Sequence, residues 1–424
     1  MSTSKTYFPG LNALRFFAAM AVLVTHVEFT KKVMLHGDKF WLKIDSWIQG
    51  NALTSILRDG PPEPIHWLSP FVTFGGYIGV IFFFVLSGFL ITYLILEEKR
   101  VSQDVSVKKF YMRRILRIWP LYYFLVFLGF FVLHHIPFFE VISQEDEFFD
   151  HYAINLVSFL FLLPNLSFAL VMEGVPNLGH LWSIGVEEQF YLLWPVLLKF
   201  SKKPMRTLWF FLIGLITFKL ISFVFIRIFF PEPPPDPDLM IFSPIESYKR
   251  FIGSLKFEAM AIGGIGAAWV FYGYKRILNF IYLPSIQWLA VLSIPIIVLI
   301  TPVKLYTALY LFFSIPFLVI ILNVATNKDC RYRLQHFILD YLGKISYGIY
   351  MYHLICIAFV FHILDYWLKF PLRLEAWHTM LLYALSIPLT IGVSALSYHF
   401  LESPFIRKKR TFTTVISGDD ARFN

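Results

Sequence analysis

The sequence predicts an all-α polytopic membrane protein with about ten transmembrane helices, one re-entrant segment and a polar central cavity. Of the 424 residues, 57% are hydrophobic and only 15% are charged, whereas soluble globular domains carry about 25% charged residues. The mean hydropathy is +0.64. Long apolar stretches recur along the whole chain, and in lipid such stretches form helices because every backbone polar group must be paired internally.

The formal charge of +9 predicts contacts with membrane lipids and not with nucleic acid. Basic residues of polytopic proteins collect in cytoplasmic loops and beside anionic headgroups. The two cysteines, Cys330 and Cys356, offer no disulfide framework. The histidines are scattered along the sequence, so we expect no metal site.

Ten apolar stretches are long enough to cross the membrane as helices. They are residues 11–30, 71–96, 115–136, 180–199, 207–230, 257–273, 281–300, 305–325, 338–364 and 377–400. Together they form one transmembrane domain over 11–406. A short segment, 1–10, precedes this domain, and a basic and polar tail, 407–424, follows it.

The basic residues predict the orientation, because Lys and Arg are enriched in cytoplasmic loops. The clusters expected in the cytoplasm are residues 99–117, which include the connector 101–117, and residues 199–206, 274–276, 328–333 and 407–410. The acidic loop 137–150 and the proline-rich loop 231–248 are expected outside. Both termini then lie in the cytoplasm, in a protein of the cell inner membrane.

Segment 153–171 is apolar but does not fit this orientation as a full crossing, since residues 199–206 would then fall outside. Pro164 and Asn165 interrupt the segment. Irregular backbone at membrane depth is tolerated only where protein covers it. We therefore predict a re-entrant or interfacial segment whose Pro-Asn break is buried in protein.

The first span carries two ionisable residues, Arg15 and His26. They are eleven positions apart, which is close to three helical turns, so they share one face about 16 Å apart along the axis. Ionisable groups inside a membrane rarely face lipid, so this face is expected to line a bundle or a wet cavity. The structural alternative is an arginine that snorkels to the surface and a histidine bonded to a neighbouring helix.

A second polar stripe lies at the start of the fourth predicted span. Two adjacent carboxylates, Glu187 and Glu188, occur there. The stripe, at positions i, i+3, i+7 and i+11 of one helix face, consists of His180, Ser183, Glu187 and Tyr191. A carboxylate can orient an imidazole and stabilise its protonated form, so Glu187 beside His26 would make a general base. Alternatively, the acids lie at the interface near the positive helix N-terminus.

Three arginines, Arg113, Arg114 and Arg117, are close enough in sequence to cluster at the cytoplasmic mouth. Their forked N–H donors suit phosphate, and lipid headgroups are the alternative ligand. In the second span, Ser87 and Gly88 permit close helix approach, and packing is the favoured role of Ser87 by itself.

The ninth span carries a further polar face. Ser346, Tyr350 and His353 share it, and an aromatic-rich stripe of this kind could line a sugar- or acyl-accepting cavity. Interfacial anchoring by the tyrosines, with one internally bonded histidine, is the alternative. Glu402, next to Ser403 and Pro404, is interpreted as a structural cap at the end of the last span.

Five motifs in this order over residues 8–406 resemble those of the acyltransferase-3 family of integral membrane acyltransferases. In the first, ten residues separate Arg15 from His26, and Asn12 stands where family members often carry Asp. The other four motifs are Ser87 to Leu90; Arg113, Arg114 and Arg117; Trp182, Ser183, Glu187, Glu188, Phe190 and Tyr191; and Ser346, Tyr347, Tyr350 and His353. Each motif is weak alone, whereas the ordered set is specific.

The resemblance implies transfer of an acyl group, usually acetyl, from cytoplasmic acyl-CoA to a hydroxyl of a glycan or lipid-linked glycan. His26 would accept the hydroxyl proton or briefly carry the acyl group, with Glu187 and Arg15 as its catalytic partners. The donor-binding residues would be Arg113, Arg114, Arg117 and Ser87. The substrate cavity would be lined by His180, Ser183, Glu188, Tyr191, Tyr347, Tyr350 and His353. Direct transfer and an acyl-enzyme intermediate both fit this set.

Many family members append a soluble extracytoplasmic esterase-like domain. This chain is too short for one, so such a step is expected to need a separate extracytoplasmic transferase partner. The alternative function is a transporter that moves acyl groups or their donor for another transferase. A lipid-binding scaffold is a third hypothesis, and it leaves Arg15, His26 and the paired carboxylates unexplained.

Overall fold

A computed structural model describes residues 4–36, 69–136, 139, 151–171, 175–230, 243–300, 310–367, 376–413 and 415–417. The predicted loops at 137–150 and 231–248 lie largely outside these residues. The helices are α1 (Leu11–His36), α2 (Ser69–Ser102), α3 (Val107–Phe131), α4 (Tyr152–Leu160), α5 (Pro164–Leu170), α6 (Trp182–Phe200), α7 (Pro204–Phe229), α8 (Pro244–Ser254), α9 (Phe257–Tyr272), α10 (Lys275–Ile281), α11 (Pro284–Ile300), α12 (Tyr310–Thr326), α13 (Phe337–Lys344), α14 (Ser346–His362), α15 (Ala376–Ser397) and α16 (Ser403–Lys409). The described residues also include two three-residue strands, β1 (Ser4–Thr6) and β2 (Val415–Ser417), and short 3₁₀ and π turns.

The all-α membrane fold predicted from the sequence is confirmed. Within the described ranges, seven helical segments are long and apolar enough to cross a membrane, and α10 with α11, bent by 61°, form an eighth candidate. Helix α12, with 17 residues, is a shorter apolar helix. Helix α6, with 19 residues, is long enough to cross but carries Glu187 and Glu188. This part of the chain is therefore consistent with about ten spans.

Helix α3 begins earlier than predicted. The Ser106 hydroxyl accepts the backbone N–H of Lys109 at 3.5 Å and caps the helix start. Residues 107–117 of the predicted connector are therefore helical, and Arg113 and Arg117 stand one turn apart on α3. The predicted span 338–364 is likewise two helices, α13 and α14, which meet at Ile345.

The segment 153–171 folds as two short helices, α4 and α5, of nine and seven residues. A crossing needs about 20 residues, so neither helix spans the membrane by itself. Pro164 and Asn165 are buried. The Asn165 side chain accepts from Gln189 at 2.6 Å and donates to Ser254 at 3.2 Å, which ties the break to α6 and α8. The predicted burial of the Pro-Asn break is confirmed.

Helix α2 occupies the centre of the bundle, between α1 and α9. A Cβ atom on Gly88 would overlap the backbone of Met260, and one on Gly263 would overlap the carbonyl of Val85. Helices α2 and α9 are therefore in backbone contact at Gly88, as the small residue beside Ser87 predicts. This contact fixes the wall of α2 that carries Ser87.

We expect Gly88→Ala to lower the stability of the protein by about 1–3 kcal/mol or more, because the added methyl group meets backbone that cannot rotate away. Gly214→Ala in α7 is the matched control, since a Cβ at Gly214 meets nothing within 4 Å. Thermal unfolding in detergent compares the two variants. Equal melting temperatures would show that α2 and α9 are not held at backbone contact.

The two ends of the chain meet at one end of the bundle. Strands β1 and β2 pair in parallel, with Ser4 opposite Val415 and Thr6 opposite Ser417. The predicted boundary at 406/407 falls inside α16. The described part of the tail is thus joined to the transmembrane domain and to the N-terminal segment, and is not a separate appendage.

Candidate active site

A cavity of about 620 Å³ opens within the bundle. Its walls come from α1, α2, α3, α6, α13, α14 and α16 and from the paired terminal segments. Along α2 the lining residues run from Glu98 to Val80, which at 1.5 Å per residue corresponds to about 27 Å. The cavity is therefore deep and narrow, and it follows the central helix through most of the thickness of a bilayer core.

Positive charge dominates the lining of this cavity. The basic lining residues are Arg15, Arg113, Arg114, Arg117, Lys344, Arg407, Lys409 and Arg410, and the acidic ones are Glu98 and Glu187. Most of the basic residues lie at the end formed by the chain termini, which we call the basic mouth. Sequence reasoning missed Lys344 and the tail residues as lining residues. It interpreted the basic tail only as a marker of orientation.

Arg113 is held by fixed protein acceptors at the basic mouth. One guanidinium nitrogen donates to Glu98 at 2.7 Å, and another donates to the Phe412 carbonyl at 2.9 Å. Glu98 is almost completely buried. Two of its five N–H groups are thus engaged by α2 and by the C-terminal segment, which makes Arg113 a structural link between them. Its predicted role in donor binding stays a prediction.

Arg117 has a different environment. It lines the cavity and makes no hydrogen bond or ion pair with any residue that the structure describes. Its acidic neighbour is Glu402, which interacts with it electrostatically and accepts a hydrogen bond from Ser397 at 3.3 Å. The Glu402 side chain does not cap α16, so the interpretation as a helix cap is corrected. Arg117 is thus available to an anionic ligand.

A polar cluster occupies the middle of the cavity. The Arg114 guanidinium lies 5.1 Å from the Tyr191 ring centre and interacts electrostatically with Glu187. Glu187 lies beside Ser87 and Tyr191, whose hydroxyls bond to each other. This cluster joins α2, α3 and α6, and it leaves polar groups facing the cavity.

Two further predicted residues line the cavity through defined contacts. Arg15 donates to the side-chain oxygen of Asn12 at 2.9 Å, so the amide at this position still holds the arginine. Tyr347 donates its hydroxyl proton to the Ile118 carbonyl at 2.9 Å. Both contacts fix side chains of the wall between α1, α3 and α14.

Tyr350 closes the deep end of the cavity. Its hydroxyl donates to the His180 carbonyl at 2.9 Å and lies 2.6 Å from the Ser183 hydroxyl. Its ring makes an edge contact with Phe83, at 6.0 Å between ring centres. These contacts hold the tyrosine ring across the cavity between α2, α6 and α14.

His26 and His353 lie beyond Tyr350, and they do not line the cavity. The ring centres of His26 and His353 are 4.8 Å apart, and those of His180 and His353 are 4.7 Å apart. Glu187 lines the cavity and His26 is not among its lining residues, so the pairing of Glu187 with His26 stays a prediction. The described His, Cys, Asp and Glu side chains form no group of three that could hold a metal.

The comparison with known proteins decides the family. The sequence profile of a family described as an acyltransferase domain matches residues 8–399. The chain belongs to this acyltransferase family. The resemblance predicted from the five motifs is therefore confirmed over nearly the whole chain.

Relatives of this acyltransferase domain include two bacterial enzymes. Peptidoglycan O-acetyltransferase OatA of Listeria monocytogenes is 26% identical over 430 residues, which cover 98% of this chain and 58% of the relative. O-acetyltransferase OatA of Staphylococcus aureus is 26% identical over 427 residues, covering 96% and 58%. This chain thus spans less than three fifths of the length of these relatives. No solved structure matches it significantly.

In this acyltransferase domain the structure divides the predicted site residues into two groups. Those that line the cavity are Arg15, Ser87, Arg113, Arg114, Arg117, Ser183, Glu187, Tyr191, Tyr347 and Tyr350. Those that lie outside it are His26, His180, Glu188 and His353. Glu188 accepts the indole N–H of Trp119 at 3.0 Å, so it faces α3 and not the cavity. The histidines form a separate group past the deep end.

Proposed function

We propose that this protein transfers an acyl group, most simply acetyl, from cytosolic acyl-CoA to a hydroxyl of a glycan or lipid-linked glycan. The observation that carries the proposal is a deep cavity with cationic side chains at one end and histidines just past the other. A donor with phosphates at one end and a thioester at the other matches this polarity. The names of the relatives support O-acetyl transfer, and the Listeria relative is named for peptidoglycan as its acceptor.

The basic mouth would hold the phosphates of the donor. Forked guanidinium groups bind phosphate through two parallel N–H donors, and Arg117 has donors available for this purpose. Arg407, from the other side of the mouth, lines the same space. We place both termini on the cytoplasmic side of the inner membrane. In that orientation the basic mouth would open to the cytoplasm, the compartment that contains acyl-CoA.

The arm of the donor would extend along α2. Its amide groups would reach the polar cluster of Ser87, Glu187 and Tyr191, and its thioester would lie near Ser183 and Tyr350. Once the Tyr350 ring turns aside and its hydroxyl leaves the His180 carbonyl, the hydroxyls of Ser183 and Tyr350 become donors that can stabilise negative charge on the thioester carbonyl oxygen. The Tyr350 ring must turn aside for the thioester to meet an acceptor, because it closes the cavity.

The acceptor hydroxyl would approach from the side of the histidines. His26 takes its proton as a general base, the hydroxyl oxygen attacks the carbonyl carbon, and the carbon–sulfur bond breaks. The products are an ester and a CoA thiolate, which takes up a proton. Arg15, further along the same helix, adds positive charge on the path of the anionic donor. A separate extracytoplasmic transferase can receive the acyl group in place of the glycan.

Purified protein in proteoliposomes, given acyl-CoA with a labelled acyl group and a soluble glycan acceptor, tests the proposal. We expect labelled glycan ester from this single component. Label that crosses the membrane without forming an ester would instead establish the alternative function, an acyl-group transporter. The position of the histidines past the closed end of the cavity also fits a transporter. Absence of both product and transport in folded, donor-binding protein would contradict both functions.

A further inference from the structure

Three histidines from three separate segments form one contiguous group beyond Tyr350. His26 lies on α1, His353 on α14, and His180 in the single turn of 3₁₀ helix before α6. His353 is fully buried, and His180 is 3% exposed. The role proposed for the cavity gives no reason for the imidazole of His353 to lie against the ring of His26.

The hydrogen bonds determine which nitrogen of each ring carries the proton. The Nδ1 atom of His353 lies 2.6 Å from the Tyr350 carbonyl, which can only accept, so this nitrogen is the donor. In the neutral ring its Nε2 therefore carries the lone pair. The Nδ1 atom of His26 lies 3.1 Å from this Nε2 and 2.9 Å from the Val22 carbonyl, so His26 donates from Nδ1 to both.

His26 thus keeps its own lone pair on Nε2, the nitrogen that faces away from these two acceptors. Val22 lies one helical turn before His26. The Val22 carbonyl also accepts the backbone N–H of His26 in the helix. The contact with the Val22 carbonyl therefore sets the tautomer of His26. The orientation of the His26 ring needs a second contact, from another group. His353, on a neighbouring helix, supplies that second acceptor.

We propose that His353 is a positioning residue that accepts the Nδ1 proton of His26 and holds the His26 ring with its Nε2 lone pair aimed at the acceptor hydroxyl. The inference rests on the proposed function, in which His26 is the general base. When His26 becomes an imidazolium ion, its Nδ1–H still has an acceptor in His353. The role matches that of a carboxylate beside a catalytic imidazole, with a neutral ring in its place.

The other titratable groups near His26 have hydrogen-bond partners or positions that do not make them the acceptor of its Nδ1 proton. His180 donates from Nε2 to the Met351 carbonyl at 3.1 Å, and its Nδ1 is buried with no hydrogen-bond partner, so it offers His353 no proton. On α1, the Glu28 carboxylate accepts the Tyr383 hydroxyl of α15 at 2.9 Å. The Tyr350 hydroxyl is bonded to the His180 carbonyl.

Two substitutions of similar size separate the hydrogen bond from simple packing. In His353→Gln, the side-chain oxygen can accept from His26 at the position of Nε2, whereas His353→Leu fills the space without an acceptor. For the leucine variant we expect kcat for acyl transfer to fall about 10²-fold, with an unchanged KM for acyl-CoA, since misplacing a catalytic group by about 1 Å has that effect. The glutamine variant should recover most of the loss. His399→Leu, at an exposed position, controls for loss of a histidine.

Three outcomes would overturn the inference. Wild-type kcat in folded His353→Leu shows that His26 needs no second acceptor. An equal loss of kcat in both His353 variants shows that the imidazole itself is required and not an acceptor. A raised KM for acyl-CoA places His353 at the donor. His26→Ala, measured in parallel, separates these results from a failure of the proposed base, because retained activity in that variant removes His26 from the mechanism whatever the His353 variants show.

Discussion

His26→Ala is expected to abolish acyl transfer while the protein still folds, inserts and binds acyl-CoA. General base catalysis contributes about 10²–10⁴-fold to a rate, so we expect kcat to fall by at least about 10²-fold. Because His26 does not line the donor cavity, the dissociation constant for acyl-CoA should stay close to the wild-type value. Product formation and donor binding are measured separately on purified protein.

His399→Ala serves as the control for this experiment, because His399 is exposed and lies outside the group of three histidines. It should transfer acyl groups at the wild-type rate. Full activity in His26→Ala would remove the proposed base from the mechanism. A loss of donor binding in that variant would instead place the histidine in the donor site.

Arg117→Gln is expected to weaken donor binding without destabilising the protein. A hydrogen bond to a charged group is worth about 1.5–3 kcal/mol, which corresponds to an increase of about 10- to 100-fold in KM for acyl-CoA. The stability should change little, because Arg117 makes no hydrogen bond or ion pair with the residues that the structure describes. Steady-state kinetics and thermal unfolding of the same preparation give both quantities.

Arg113→Gln is the matched variant, one helical turn away, and it should show the opposite pattern. It leaves the buried Glu98 carboxylate without its partner, which typically destabilises a protein by about 3–5 kcal/mol. A lowered melting temperature is therefore expected. If Arg113→Gln raised KM as much as Arg117→Gln and left the melting temperature unchanged, the ion pair with Glu98 would not be a structural contact.

The local patterns of the sequence predict a large part of the cavity. Ser183, Glu187 and Tyr191 were placed on one helix face by their spacing, and all three line the cavity. The same reasoning places Arg15 inside the bundle. Such predictions succeed because helical periodicity is a local property, and because a membrane restricts polar side chains to interior surfaces.

Contacts between distant segments could not be predicted in the same way. The spacing of Arg15 and His26 says nothing about His353, which comes from α14 and contacts the ring of His26. Arg113 has a partner 299 positions away, the Phe412 carbonyl. Only the packed helices show that this arginine is a structural link whereas Arg117 is available to a ligand.

Photocrosslinking with an acyl-CoA analogue that carries a photoreactive group on its acyl chain tests the central claim most directly, because it locates the donor in the folded protein. Mass spectrometry of the crosslinked protein should place the label at the deep end, on Phe83, Ser183 or Tyr350, and unlabelled acyl-CoA should compete with it. Label confined to the lipid-facing surface of α7, or unaffected by competitor, would contradict a donor cavity along α2.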